Sequence, residues 1–180
     1  MRTDFNELVA GVLRLLRQQA ESRRISLSCG LGEELPPILV DPVELSQIIL
    51  NGVRNAFDAC SECPQERRMV TATTRHIVGE GAEWGVSDTG SGIAPEVMDW
   101  LFAPFFSTKP EGLGMGLRLS RTIVEAYGGT SEACNNSDRI GASFRVILPI
   151  LGESDENQAL IPKYNAIGGD GSGLSEHRTA

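Results

Sequence analysis

Between Trp84 and Leu117 the chain reads WGVSDTGSGIAPEVMDWLFAPFFSTKPEGLGMGL, and this stretch limits the possible folds more than any other. An apolar, strand-like run stops at one carboxylate, Asp88, followed closely by Gly90 and Gly92. A loop rich in Phe, Pro and Lys comes next. A second glycine cluster, Gly112-Leu113-Gly114-Met115-Gly116-Leu117, then opens a helix. A strand must end and a helix must begin at backbone able to approach another group closely, because glycine offers no Cβ to collide with it.

The flanking sequence supplies one sheet and its cover. Asp4 is placed to cap a first helix with Glu7 at its third position. Phe5, Leu8, Val9, Val12, Leu15 and Leu16 then follow helical spacing to about Ser22. Ile25 to Cys29 alternates like a strand. After the break at Pro36-Pro37, Ile38 to Val40 is a short buried strand. Asp41 caps a second helix with Pro42 at its first position. Leu45, Ile48, Ile49, Val53, Ala56 and Phe57 form its apolar stripe. The opposite face carries Glu44, Gln47, Asn51, Asn55 and Asp58. Two asparagines four residues apart are poor helix formers, so this face either meets a ligand or merely tolerates the pair.

Met69 to Val78 and Glu83 to Ser87 read as a hairpin turning at Gly79-Glu80-Gly81. Residues 95–101 form a short helix, 103–112 a mobile lid-like loop, and 114–127 a helix stopped by Gly128-Gly129. Thr130 to Cys134 and Ala142 to Leu148 make a last hairpin around Asn135–Gly141. The pattern predicts an α+β domain over residues 1–150, with a mixed sheet covered on one face by helices. Residues 151–180 lose all periodicity, turn rich in Gly, Ser and acids, and are expected to be a disordered tail.

Charge and composition remove other classes. The net charge is −8 and no basic stretch exists, which argues against nucleic acid as a partner. No run approaches the roughly 18 apolar residues of a membrane helix, and the N-terminus lacks a secretory apolar core. The expected compartment is the cytoplasm. Cys60 and Cys63 have CxxC spacing but fall where a helix ends, so they read as reduced thiols rather than as a redox or zinc pair.

The chemistry of the central stretch is that of a nucleotide site. An ionised Asp88 accepts a hydrogen bond from the N6 amino group of adenine and repels the O6 of guanine. Gly90 and Gly92 are expected to let the backbone approach a flat base. The second glycine cluster would turn backbone N–H groups towards phosphate at the start of a helix. It lacks the GK[ST] ending of a Walker A loop. Mg²⁺ needs few protein ligands beside phosphate, and the amide oxygen of Asn55 is the candidate. Lys109 and Arg54 are candidates to balance phosphate charge.

Together these blocks resemble the catalytic ATP-binding domain of sensor histidine kinases, in the ATPase family shared with gyrase B and heat-shock chaperones. Asn51-Gly52-Val53-Arg54-Asn55-Ala56 looks like the N box, Asp88 to Ile93 like the G1 box, Phe102 to Lys109 like the F box, and Gly112 to Leu117 like the G2 box. Gly141 to Pro149 looks like the closing strand. The resemblance implies a two-layer α/β sandwich of the Bergerat type, with three main helices on about five strands. It implies ATP and Mg²⁺ as cofactors, Asp88, Gly90, Gly92 and Ile93 at the base, Asn55 on the metal, and Thr108, Lys109 and residues 112–117 at the phosphates. Asn51 and Lys109 are the candidate catalytic residues. The implied partners are a histidine-bearing dimerisation hairpin and, through it, a response regulator, with the isolated chain a monomer.

The sequence departs from the family at three places. Asp58 stands where many relatives carry Lys, which leaves Arg54 as the expected replacement charge. Ala142 replaces a Thr of the closing motif, and Ser143 is the candidate to take over its hydroxyl. The acceptor hairpin has no counterpart within these residues, and the two histidines are His76 and His177. An anti-sigma-type serine kinase and a non-catalytic nucleotide-dependent binding module are the alternative readings.

Overall fold

The structure, a computed structural model, describes residues 1–104, 106, 115–137 and 140–150. The expected tail, 151–180, and most of the expected lid lie outside the described residues. The elements in chain order are β1 (Arg2–Thr3), α1 (Phe5–Ser22), β2 (Ser26–Gly30), β3 (Ile38–Leu39), α2 (Pro42–Ser61), β4 (Met69–Ile77), β5 (Gly81–Asp88), α3 (Pro95–Met98), α4 (Gly116–Ala126), β6 (Thr130–Asn135) and β7 (Ala142–Leu148).

Both aspartate caps form. Asp4 Oδ1 accepts from the Glu7 N–H at 2.9 Å, and Asp41 Oδ1 accepts from the Val43 N–H at 2.7 Å. Each satisfies a donor that the helix leaves open at its first turn. The α2 stripe is buried at every position named from the sequence. On α1 one position differs: Leu15 is 78% exposed and Leu13 is buried instead. Leu15 sits one residue, or about 100° of rotation, from Leu16, which carries it off the stripe formed by Phe5, Val9, Val12 and Leu16.

Five strands form one mixed sheet in the order β2-β4-β5-β7-β6. β2 and β4 are parallel, and the remaining pairs are antiparallel. The short β1 and β3 pair separately, holding the start of the chain against the entry to α2. α1, α2 and α4 supply the buried apolar side chains that meet the sheet's inner face, so the expected α+β sandwich is what forms. Along β5 every residue from Gly81 to Val86 is buried, which makes it the central strand in packing as well as in order. Trp84 is fully buried there and meets Phe144 of β7 edge to face at 6.2 Å. Each fully buried side chain of this size contributes about 1.5–3 kcal/mol of transfer free energy.

α2 and α4 run antiparallel and are joined at both ends. The Tyr127 hydroxyl donates to Glu44 Oε2 at 2.5 Å and accepts from the Asp41 N–H at 3.2 Å. At the other end Asn51 Nδ2 donates to the Gly116 carbonyl at 3.2 Å and to Ser120 Oγ at 3.3 Å. The space left between these helices and the end of β5 is the candidate site.

Candidate nucleotide site

A cavity of about 650 Å³ opens between α2, the end of β5, the start of α4 and the start of β7. From α2 it is lined by Asn51, Asn55 and Asp58, the polar face read from the sequence. Asp88, Gly92 and Ile93 line it from the loop after β5. Met115, Gly116 and Leu117 line it from the start of α4, and Phe106 is half-buried in its wall. Thr108, Lys109, Gly112, Leu113 and Gly114 lie outside the described residues.

Asp88 is the most constrained of these residues. It is 7% exposed, at the end of the most buried strand. Its Oδ1 accepts from the Gly90 N–H at 2.8 Å and from the Ala142 N–H at 3.3 Å. Among the described residues both bonds go to one oxygen, Oδ1, which leaves Oδ2 for a ligand donor. Burial pushes the carboxyl above the ordinary aspartate range, and the two N–H bonds offset part of that rise. Its carbonyl accepts from Asn136 Nδ2 at 2.9 Å. Gly141 must be glycine here, because its φ is +118° and a Cβ would lie 2.1 Å from that same carbonyl.

The glycines after Asp88 are also required by the protein itself. A Cβ on Gly90 would meet Ala59 of α2 at 2.7 Å. Gly92 has φ +77°, and a Cβ there would lie 2.9 Å from Asn135 Oδ1. Gly90 seats the loop on the end of α2, and Gly92 lets it turn back beneath β6.

Two residues that sequence reasoning passed over hold this loop. Asn135 Oδ1 accepts from the Ile93 N–H at 2.7 Å while its Nδ2 donates to the Ile93 carbonyl at 2.8 Å. Asn136 binds the Asp88 carbonyl and accepts from the hydroxyls of Ser87 at 3.3 Å and Ser143 at 2.6 Å. The signal was an Asn-Asn pair at a strand end, since such side chains bind backbone. The partner, more than forty residues away, could not be read from it.

The Ser143 bond changes the reading of that residue. Ser143 borders the cavity, but its hydroxyl points to Asn136 together with Ser87. Strand alternation places Phe144 towards the helices and Ser143 on the opposite face, away from the Asp88 carboxylate. Ala142 beside Asp88 contributes its N–H instead.

Two charged positions flank this face of α2. Arg54 is exposed on α2 and is not part of the cavity wall. Asp58 accepts from Arg23 Nη1 at 2.5 Å, so among the described residues one cation beside this acidic position comes from the end of α1. Asn51 has its amide engaged on both sides: its Oδ1 accepts from Gln47 Nε2 at 2.8 Å, and its Nδ2 reaches α4. It aligns the first turn of α4, whose N-cap residue Met115 makes no side-chain capping bond. Phe102, the first residue of the F-box segment, packs against Phe144 and lies under the Arg121 guanidinium at 3.8 Å.

The sequence profile of the histidine kinase-, DNA gyrase B- and HSP90-like ATPases matches residues 40–152. The chain belongs to this ATPase family. Within it the chain is 37% identical over 147 residues to the sensor histidine kinase ZraS of Escherichia coli K12, covering 82% of this chain and 30% of ZraS. It is 38% identical over 148 residues to the sensor protein FixL of Bradyrhizobium diazoefficiens, covering 82% of this chain and 28% of FixL. The chain thus spans less than a third of the length of these relatives. The catalytic domain of histidine kinase ThkA superposes with a TM-score of 0.72 at 25% identity, over 83% of this chain and 94% of that domain. Full-length ShkA, solved in complex with AMPPNP, superposes with a TM-score of 0.72 at 29% identity, over 83% of this chain and 30% of ShkA. In fold and sequence the chain is thus similar to histidine-kinase catalytic domains, and the serine-kinase alternative is not favoured.

Proposed function

We propose that this domain binds Mg²⁺-ATP and transfers the terminal phosphate to a histidine on a separate dimerisation hairpin, which passes it to a response regulator. The observation that carries the reading is the buried Asp88 carboxylate at the cavity floor, with one oxygen fixed by two backbone N–H groups and the other left over. Such a group selects a base that offers an amino donor. That ShkA was solved with an adenine nucleotide in complex supports the same choice.

The donor set fits the cofactors. Asn55 lines the cavity on α2 and offers a neutral amide oxygen of the kind Mg²⁺ accepts when phosphate supplies the remaining charge. The metal would neutralise charge on the phosphates. The start of α4 lines the cavity and its N-cap has no side-chain bond, so the open N–H groups of its first turn suit a phosphate there. Asn51 holds that turn in place from α2. Phosphoryl transfer asks mostly for positioning and charge stabilisation, and these residues position. Lys109 and Thr108, from the lid, are proposed to reach the terminal phosphate.

Calorimetry with ATP, GTP and Mg²⁺ tests the reading. ATP should bind and GTP should not. Asn55→Ala should remove the Mg²⁺-dependent part of the affinity while leaving nucleotide binding without metal. Equal affinity for ATP and GTP would sink the role of Asp88, and an unchanged Mg²⁺ dependence in Asn55→Ala would sink the role of Asn55.

A further inference from the structure

We propose that Cys60 and Cys63 are an oxidation site, a dithiol that a hydroperoxide converts to a disulfide and that thereby loosens the nucleotide site. The inference rests on the nucleotide reading above.

Both sulfurs converge on the residue next to Asp88. Cys60, in the last turn of α2, donates from Sγ to the Met69 carbonyl at 3.4 Å and lies 3.9 Å from Thr89 Oγ1. Cys63, just past the helix end, donates from Sγ to the Thr89 carbonyl at 3.5 Å. The Cys63 N–H bonds the Cys60 carbonyl at 3.0 Å and closes a turn between them. Such a turn holds its end Cα atoms within about 7 Å, against the roughly 4.4–6.8 Å that a disulfide spans. The turn thus brings the two Cα atoms close to that range, and the side chains must rotate to close the bond.

The two thiols differ in a way that orders the reaction. Cys63 is partly exposed, whereas Cys60 is fully buried. Burial pushes the Cys60 thiol up, hydrogen bonds with Thr89 offset part of that rise, and the Asp88 and Cys63 charges add to it. Cys63 is the sulfur that meets the oxidant. Its thiolate attacks one peroxide oxygen, the O–O bond breaks, and a sulfenic acid and one water result. The Cys60 sulfur then attacks the Cys63 sulfur, the S–S bond forms, and hydroxide leaves with the Cys60 proton as a second water. The two thiols lose two electrons and two protons, and hydrogen peroxide is reduced to water. Neither cysteine sits at a helix N-terminus, so neither gains the dipole that makes a fast oxidoreductase.

The consequence reaches Asp88 through a packed contact. A disulfide has no S–H to donate, so the bonds to the Met69 and Thr89 carbonyls are lost. Ala59, beside Cys60, lies against Gly90 with no room for a Cβ. Gly90 supplies one of the two N–H groups that fix Asp88. Rotating the sulfurs therefore disturbs the loop that holds the carboxylate.

The test uses the 180-residue chain carrying Cys29→Ser and Cys134→Ser, so that the pair are its only thiols. Hydrogen peroxide should remove two hydrogens by mass, peptide mapping should place the bond between 60 and 63, and dithiothreitol should reverse it. ATP affinity by calorimetry should fall about tenfold on oxidation, the equivalent of one lost hydrogen bond. Cys63→Ser in the same background should bind ATP and ignore peroxide. Failure to form the 60–63 bond overturns the oxidation site, and a mapped bond with unchanged ATP affinity overturns the coupling. A reduced protein that binds no ATP is a different failure. It removes the nucleotide reading and the coupling with it, and the mass shift alone then decides the oxidation site.

Discussion

Asp88 carries opposite demands of stability and function. Folding raises its pKa above the ordinary carboxylate value of about 3.9, so the folded state holds the proton more tightly than the unfolded state. The cost of burying its charge is absent below the ordinary value and fully present above the raised one. Stability from this residue is lost as pH rises through that window. Asp88→Asn removes the charge and keeps an oxygen for the Gly90 and Ala142 N–H groups. Its melting temperature at neutral pH should equal or exceed that of the wild type, while ATP binding is lost. For the wild type, ATP affinity should fall on acidification at a pH above that at which an exposed aspartate titrates. Calorimetry across pH checks the second outcome and thermal melts check the first. A variant that melts well below the wild type would mean that the carboxylate is structural.

At the scale of elements, the loop after β5 is held from three directions: by Ala59 below Gly90, by Asn135 at Ile93, and by Asn136 at the Asp88 carbonyl. Asn135→Ala removes both bonds to Ile93 and should cost about 1–2 kcal/mol in urea unfolding, with weaker ATP binding. Asn135→Asp keeps the acceptor for the Ile93 N–H and should fall between. If Asn135→Ala matches the wild type in both measurements, the clamp does not hold the loop. These contacts also mark what could be read in advance. The stripe on α2 was legible because helical periodicity is local, and so were both aspartate caps and the hairpin of β4 and β5. The side of α1 on which Leu15 lies turned on one residue of phase. The Arg23–Asp58 pair and the Asn135–Ile93 clamp join distant segments, and no local pattern encodes a partner. Gly90 and Gly92 signal close approach in the sequence, but their neighbours Ala59 and Asn135 lie in distant segments that the signal does not name.

For the whole molecule, the polar face of α2, the end of β5 and the start of α4 line one cavity, and among the described residues no histidine lies in its wall. His76 is exposed on β4 and is not part of the cavity wall, and His177 lies outside the described residues. The isolated chain should therefore take no acid-labile label from ATP. A compatible histidine hairpin added in trans should take label slowly, because a tether would otherwise supply a high local concentration. Labelled ATP read on neutral gels checks both. Acid-labile label on the chain alone, or unlabelled hairpins despite confirmed ATP binding, would refute the division of labour.

The parallel pairing of β2 with β4 has a kinetic meaning. Ser28 and Thr71 face each other across it and are 43 residues apart in the chain. The entropy of closing that long loop must be met before the contact returns anything. All of α2 lies inside the loop, together with the polar face that lines the cavity. The cavity wall is thus anchored on both sides only after one of the slower events in folding, and a chain caught short of it has the motifs in order but no place for a ligand to sit.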